Sequence, residues 1–188
     1  MAARVRYNWG AIMSSRAARR AALWIRRAQE GAPSPQAPLA PEEIDGMMAA
    51  CRKRLEANPD NVYAMMSMGC HLVYVGRHRE AILLLDRLIG LEPGNRLAHA
   101  QRGAALLELG MYGDALEAFV RAQAGSPTTA DSFNIGITLG LLGRKSEAGR
   151  VIEAAIERDP KGAGQSLLFC DAHRALDIHG ARRAGSIP

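Results

Sequence analysis

Gly69, Gly76, Ala81 and Pro93 recur, all four at one constant offset, as Gly103, Gly110, Ala115 and Pro127. They recur again, at an offset shorter by a single position, as Gly136, Gly143, Ala148 and Pro160. Self-similarity at a period of about 34 residues, in units long enough for two helices, marks a helical solenoid. Such a chain buries a core only by stacking one unit on the next, and the stack leaves a concave wall on which other chains can lie. The spacing therefore predicts an all-α array of three helical hairpins spanning 62–95, 96–128 and 129–161.

Side-chain periodicity within each unit agrees. In the first, 62–74 reads as a helix with Val62, Met65, Met68 and Leu72 at steps of three and four. A second helix over 80–90 turns Ala81, Leu84, Leu85 and Leu88 inward. Gly69 sits mid-helix, where glycine costs about 1 kcal/mol against alanine. Its return in every unit implies that a neighbouring helix approaches closely there. Gly76 stands where the chain must reverse, a place suited to positive φ. Pro93 stops the second helix and separates the units. The second unit is predicted as 96–109 and 113–123, with Tyr112, Ala115, Leu116, Phe119 and Ala122 inward. The third is predicted as 129–142 and 146–158, with Ala148, Ile152, Ala155 and Ile156 inward.

These glycines, the small alanine and the closing proline resemble the tetratricopeptide repeat family over Val62 to Pro160, about half the chain. One departure concerns the family's bulky aromatic early in the first helix, which is Met65, His99 and Ser132 here. The shorter second step places a one-residue deletion between Pro127 and Gly136, in the turn between units. The resemblance implies that the first helix of each pair lines the concave wall. Carried over position by position, the wall comprises Tyr63, Met66, Cys70, Val73 and Tyr74, then Leu97, Ala100, Gln101, Ala104, Leu107 and Glu108, then Ala130, Phe133, Asn134, Ile137 and Leu141. Members that clamp a C-terminal carboxylate place lysine, arginine and asparagine at such sites. Here only Gln101 and Asn134 could serve, so a carboxylate would be poorly satisfied. The wall instead suits an extended or helical apolar segment of a protein partner. Met and Tyr side chains give such a wall adaptable contact area.

Within that family the chain is similar in size and plan to the class II chaperones of type III secretion, which hold hydrophobic translocators soluble in the bacterial cytoplasm. Those proteins are typically acidic, whereas this chain carries +5. Its charge is also unevenly distributed. Residues 1–30 hold seven arginines and one acid, +6, so the remaining 17 bases and 18 acids sum to −1.

The flanks complete the plan. A leading cap over 41–57 has proline in its first turn and Glu42, Glu43 and Asp45 at the positive end of its dipole. Pro59 falls one full repeat length before Pro93, which reads this cap as the second helix of a decayed repeat. A trailing cap is predicted over 163–178, followed by a frayed tail over 180–188. Ahead of the array, residues 31–40 form a proline-rich, semi-rigid linker. Residues 11–29 pattern as an amphipathic helix, with Arg16, Arg19, Arg20, Arg26 and Arg27 opposite Met13, Ala17, Ala21, Trp24 and Ala28. Four readings of this arm stay open. It could be a mitochondrial presequence in a eukaryote, a contact for an anionic membrane surface, or a segment that docks on the array or dimerises; it could also be a disordered or mis-started leader, with Met13 as the alternative start.

Catalytic chemistry is not in evidence. Cys51, Cys70 and Cys170 lack CxxC spacing, and Cys170 with His173 lacks the second pair that a zinc site needs. Gly143-Arg-Lys-Ser146 lacks the glycines and preceding strand of a phosphate loop. No nucleophile elbow, HExxH helix or dinucleotide fingerprint occurs, so neither an enzyme nor a cofactor is expected. A nucleic-acid partner is disfavoured, because no basic, aromatic-lined platform accompanies the charge. The whole reads as a cytoplasmic adaptor or chaperone, mitochondrial if the source is eukaryotic. The alternative is an assembly or anchoring factor held by its basic arm.

Overall fold

The protein is seen as a computed structural model that describes residues 40–124, 127–159 and 162. The arm at 1–30, the linker up to residue 39, the trailing cap at 163–178 and the tail lie outside the described residues, as do Cys170 and His173.

Seven helices follow one another among the described residues: α1 (Pro41–Ala57), α2 (Val62–Tyr74), α3 (His78–Leu91), α4 (Arg96–Glu108), α5 (Tyr112–Gln123), α6 (Thr129–Leu141) and α7 (Lys145–Arg158). Three hairpins, α2–α3, α4–α5 and α6–α7, pack in series, and α1 lies against α2 as the leading cap. This is the all-α solenoid that the spacing requires. The second helix of each pair begins one or two residues earlier than hydrophobic periodicity suggests. The reason is local: Arg77, Met111 and Arg144 serve as N-cap residues directly after the turn glycine, so no loop intervenes.

Each hairpin turn is the same hydrogen-bonded device. Gly76, Gly110 and Gly143 have φ of 79°, 76° and 78°. In the first turn Gly76 N donates to Val73 O at 3.1 Å and Arg77 N to Leu72 O at 2.8 Å. Gly110 and Met111 repeat the pair onto Leu107 and Leu106, and Gly143 and Arg144 onto Gly140 and Leu139. These are Schellman motifs, which satisfy the last carbonyls of the helix and need a left-handed residue that glycine adopts without penalty.

The starts of the first helices are also periodic. Asn61 and Asn95 accept, through Oδ1, the N–H of Ala64 at 2.9 Å and of Ala98 at 3.0 Å. Thr128 does the same for Asp131 at 3.2 Å, and the Asp131 carboxylate accepts Thr128 N at 2.9 Å in return. Asn61 and Asn95 each stand second after a proline, Pro59 and Pro93, whereas Thr128 directly follows Pro127. The position lost from the shorter step is therefore the one between proline and N-cap.

Close packing explains the helical glycines. A Cβ on Gly69 would stand 2.8 Å from Leu85 Cδ2, and one on Gly103 would stand 2.7 Å from Phe119 Cδ1. One on Gly136 would run into Ile152 Cγ1. The small alanines Ala81, Ala115 and Ala148 lie fully buried at the same crossings. Met65, Leu72, Leu85, Leu88, Phe119, Ala122, Ile152, Ala155 and Ile156 are buried as the periodicity predicts. Val62, Met68, Leu84, Tyr112 and Leu116 are half-buried. One core cluster runs from Ile44 and Met48 of α1 to Ala98 and Ala105 of α4. A second runs from Leu106 to Ala148, and Ile82 packs against both. The hydrophobic core is thus a continuous ribbon along the stack.

In α1, Ile44, Met48 and Cys51 are buried and Leu55 is half-buried, giving a single stripe toward α2. Met47 takes the place, one repeat earlier, of the buried Ala81, yet it is exposed. A helix with one packed stripe and a polar remainder is what the end of a solenoid requires.

Candidate functional site: a concave wall on α2 and α4

The wall residues carried over from the repeat pattern divide sharply when placed in the structure. On α2, Tyr63 is 85% exposed and Tyr74 is 44% exposed, with Met66, Cys70 and Val73 half-buried between them. On α4, Leu97 is exposed, Ala100, Gln101, Ala104 and Leu107 are half-buried, and Glu108 is exposed. α2 packs directly on α4, so these ten residues from Tyr63 to Leu107 lie on two adjacent helices. On α6 the outcome differs. Phe133 is 1% exposed and Ile137 4%, so neither is open to a ligand. Asn134 and Leu141 are half-buried and Ala130 is exposed. Reading Phe133 and Ile137 as open wall residues is corrected by their burial. The physical reason is that α6 is covered almost all round: nine of its thirteen residues are buried, polar Thr129, Asp131, Ser132 and Thr138 among them, too many for one face. The large exposed apolar side chains of the wall, Tyr63, Tyr74 and Leu97, are therefore on α2 and α4.

The wall is apolar with few polar groups. Cys70 is a free thiol. Its Sγ lies 3.8 Å from Met66 Sδ, one turn away. Desolvation by burial pushes the Cys70 thiol above its ordinary value, and a hydrogen bond with its own backbone only partly opposes this. The thiol therefore stays protonated and behaves as a small apolar filler rather than a nucleophile. Among the described residues, no group of three His, Cys, Asp or Glu side chains could hold a metal ion. Nor is any helix among them long and apolar enough to cross a membrane.

Behind the wall, the family's early aromatic position is filled in three ways. Met65 is wholly buried in the first core cluster. His99 is buried and its Nε2 donates to the Pro93 carbonyl at 2.8 Å, tying α4 to the preceding turn. Ser132 is buried and its Oγ accepts from Gln123 Nε2 and from Arg158 Nη2, each at 3.1 Å. Sequence patterning marked these positions as unusual without showing their polar partners. Arg96 Nη1 also reaches Asp131 Oδ2 at 2.6 Å, joining the starts of α4 and α6. Asp131 keeps only 5% side-chain exposure and accepts from Thr128 Oγ1 as well. These bonds tie α4 and α6 to each other and to the elements beside them.

Comparisons with known proteins agree with this architecture. No known family profile matches the chain. A stretch of 96 residues, half of the chain, is 27% identical to human tetratricopeptide repeat protein 28, and covers 4% of that protein. Among solved structures, the fold is similar to MamA from AMB-1, with 24% identity, a TM-score of 0.58, and 77% of this chain matched to 79% of that one. It is also similar to MamA residues 41 to the end from Desulfovibrio magneticus RS-1, at 17% identity and a TM-score of 0.60, over 87% and 92% of the two chains. Another MamA crystal structure gives 19% identity and a TM-score of 0.60, over 78% and 93%. At these identities the likeness is one of fold.

Proposed function

We propose that the protein is a non-enzymatic adaptor that gathers a partner by gripping an apolar segment along α2 and α4. The observation that carries this reading is the exposure of Tyr63, Tyr74 and Leu97 on helices whose other faces are packed. Large apolar and aromatic side chains held in water by a rigid frame are the usual anchors of a protein interface. The segment that fits lacks acidic side chains, because no lysine or arginine is among the wall residues of α2 and α4.

The assembly version of this reading is favoured over the secretion-chaperone version. The basic charge of the chain departs from what those chaperones carry. The charge imbalance also favours a role for residues 1–30 in attaching the array to a membrane surface, or in targeting it.

Tyr74→Glu and Leu97→Glu, each made singly in the full chain, test the wall. Both side chains are exposed, so the fold is expected to survive, as a thermal melt by circular dichroism will show. Co-purifying partners should fall at least tenfold in both variants. If both retain every partner at the wild-type level, the wall is not the binding surface. Relocation of the protein on deleting residues 1–30 tests attachment separately, and an unchanged location would remove that role.

A further inference from the structure

α1 corresponds to the second helix of a hairpin, and no first helix pairs with it among the described residues. Pro59 stands one repeat before Pro93, so Met47, Cys51 and Arg54 take the places of Ala81, Leu85 and Leu88 on α3. On α3 those three are wholly buried, and Leu85 lies against Gly69 of the first helix. On α1 only Cys51 is buried; Met47 is 41% exposed and Arg54 is exposed as well. Met47 Sδ lies 3.1 Å from His71 Nε2, so this side chain leans on α2 without closing the flank.

The open flank is patterned. Glu43, Met47, Ala50 and Arg54 follow at steps of four, three and four, the spacing of a seam between paired helices. All four are exposed, as are Glu42 and Lys53 beside them. At about 100° per residue, Asp45, Arg52 and Glu56 fall on the other side of the helix. The seam is therefore acidic at its start, apolar in the middle and basic at its end. Neither Glu43 nor Arg54 has an opposite charge three or four positions away, and roughly 16 Å of helix separates the two. Glu42, Glu43, Lys53 and Arg54 make no ion pair among the described residues. Glu43 Oε2 accepts Ala40 N at 3.0 Å as part of the helix cap, which leaves its other oxygen unused.

We propose that this flank is the seam of a homodimer, in which the α1 helices of two copies pair antiparallel about a two-fold axis. With the axis passing between Met47 and Ala50, Glu43 of each copy meets Arg54 of the other. Glu42 likewise faces Lys53, and Met47 packs on Ala50. A two-fold interface must be complementary to itself, and a helix with acids at one end and bases at the other meets that condition. Parallel pairing would set like charges together, so charge selects the direction. Charge also selects the occupant, because a surface of a single sign would be repelled by one end of the seam. No seam residue belongs to the α2–α4 wall, so self-association and partner capture use different side chains.

Light scattering on the full-length protein tests this. One helix pair is a small interface, so the chain should show twice its mass at about 100 µM and a lower mass on dilution. Lys53→Glu with Arg54→Glu sets acid against acid and should weaken association at least tenfold. Met47→Asp should do the same with all four native charges in place. An equimolar mixture of the first variant with Glu42→Lys, Glu43→Gln should regain the two-copy mass, since acid again meets base and glutamine keeps the cap. Misfolded chains could not give that recovery. A native chain that is monomeric at about 100 µM overturns the proposal. So does association that neither seam variant weakens, a mixture that stays monomeric, a mass that grows beyond two copies, or a dimer that Leu97→Glu on the wall dissociates.

Discussion

Glycine holds two different positions in each repeat, and a methyl group separates their roles. At Gly103 an added Cβ would stand 2.7 Å from Phe119, a ring held by packing on all sides. Gly46, in the middle of α1, has nothing within 4 Å of where a Cβ would be. Gly103→Ala should therefore destabilise the array by about 1–3 kcal/mol through overpacking, net of a helix-propensity gain. Gly46→Ala should stabilise it by about 0.5–1 kcal/mol. Urea titrations of the two variants check both signs, and two stabilising outcomes would refute the close approach of α4 and α5. Sequence periodicity was sufficient to pick out Gly103, because it recurs. It could not name Phe119 as the opposing group, since that contact depends on how the two helices cross.

Helices in this protein are ended by chemistry that repeats with them. Asn61, Asn95 and Thr128 start the first helices, and the Arg77–Glu80 and Arg144–Glu147 pairs clamp two of the three second ones. Asp131 accepts from three donors, Thr128 N, Thr128 Oγ1 and Arg96. Asp131→Ala should cost about 1–3 kcal/mol, because it removes a cap and leaves buried donors unmatched. Asp131→Asn should recover part of this loss, which denaturant midpoints will show. A pH effect is expected from the turn pairs. The hydrogen bond and charge of Arg77 hold Glu80 below its ordinary value, and Arg144 does the same for Glu147. A carboxylate depressed on folding adds stability above its unfolded value, and that stability is lost as pH falls through the folded one. Stability should thus decline on the acid side. Glu80→Gln with Glu147→Gln should flatten that decline slightly, since exposed pairs contribute little. Thermal melts across the acid range check it.

At the scale of the whole molecule, the core is a ribbon in which each hairpin leans on the next. Phe119 stands in the second cluster, touching the place of Gly103 and grouped with Ile135 and Leu139 of the next repeat. Phe119→Ala should cost about 3–5 kcal/mol. Because neighbouring repeats share that cluster, the loss should appear as one cooperative transition at lower denaturant, without a first step confined to the middle repeat. Hydrogen exchange followed through the transition distinguishes these outcomes. The same coupling keeps the α2–α4 wall in shape, since neither helix has a core of its own.

The hairpins, their turns, their close crossings and most of the inward residues were legible in the chain, because each depends on local geometry that glycine, alanine and proline spacing encodes. The boundaries of α1 and α2 could be read to the residue for the same reason. What lies open on the wall could not be read. Phe133 and Tyr74 both stand at positions assigned to the wall, yet Phe133 is buried and Tyr74 is not. Periodicity gives the direction of a side chain about its own helix axis. Whether solvent reaches it depends on what the other helices leave uncovered, and only their packing in three dimensions decides that.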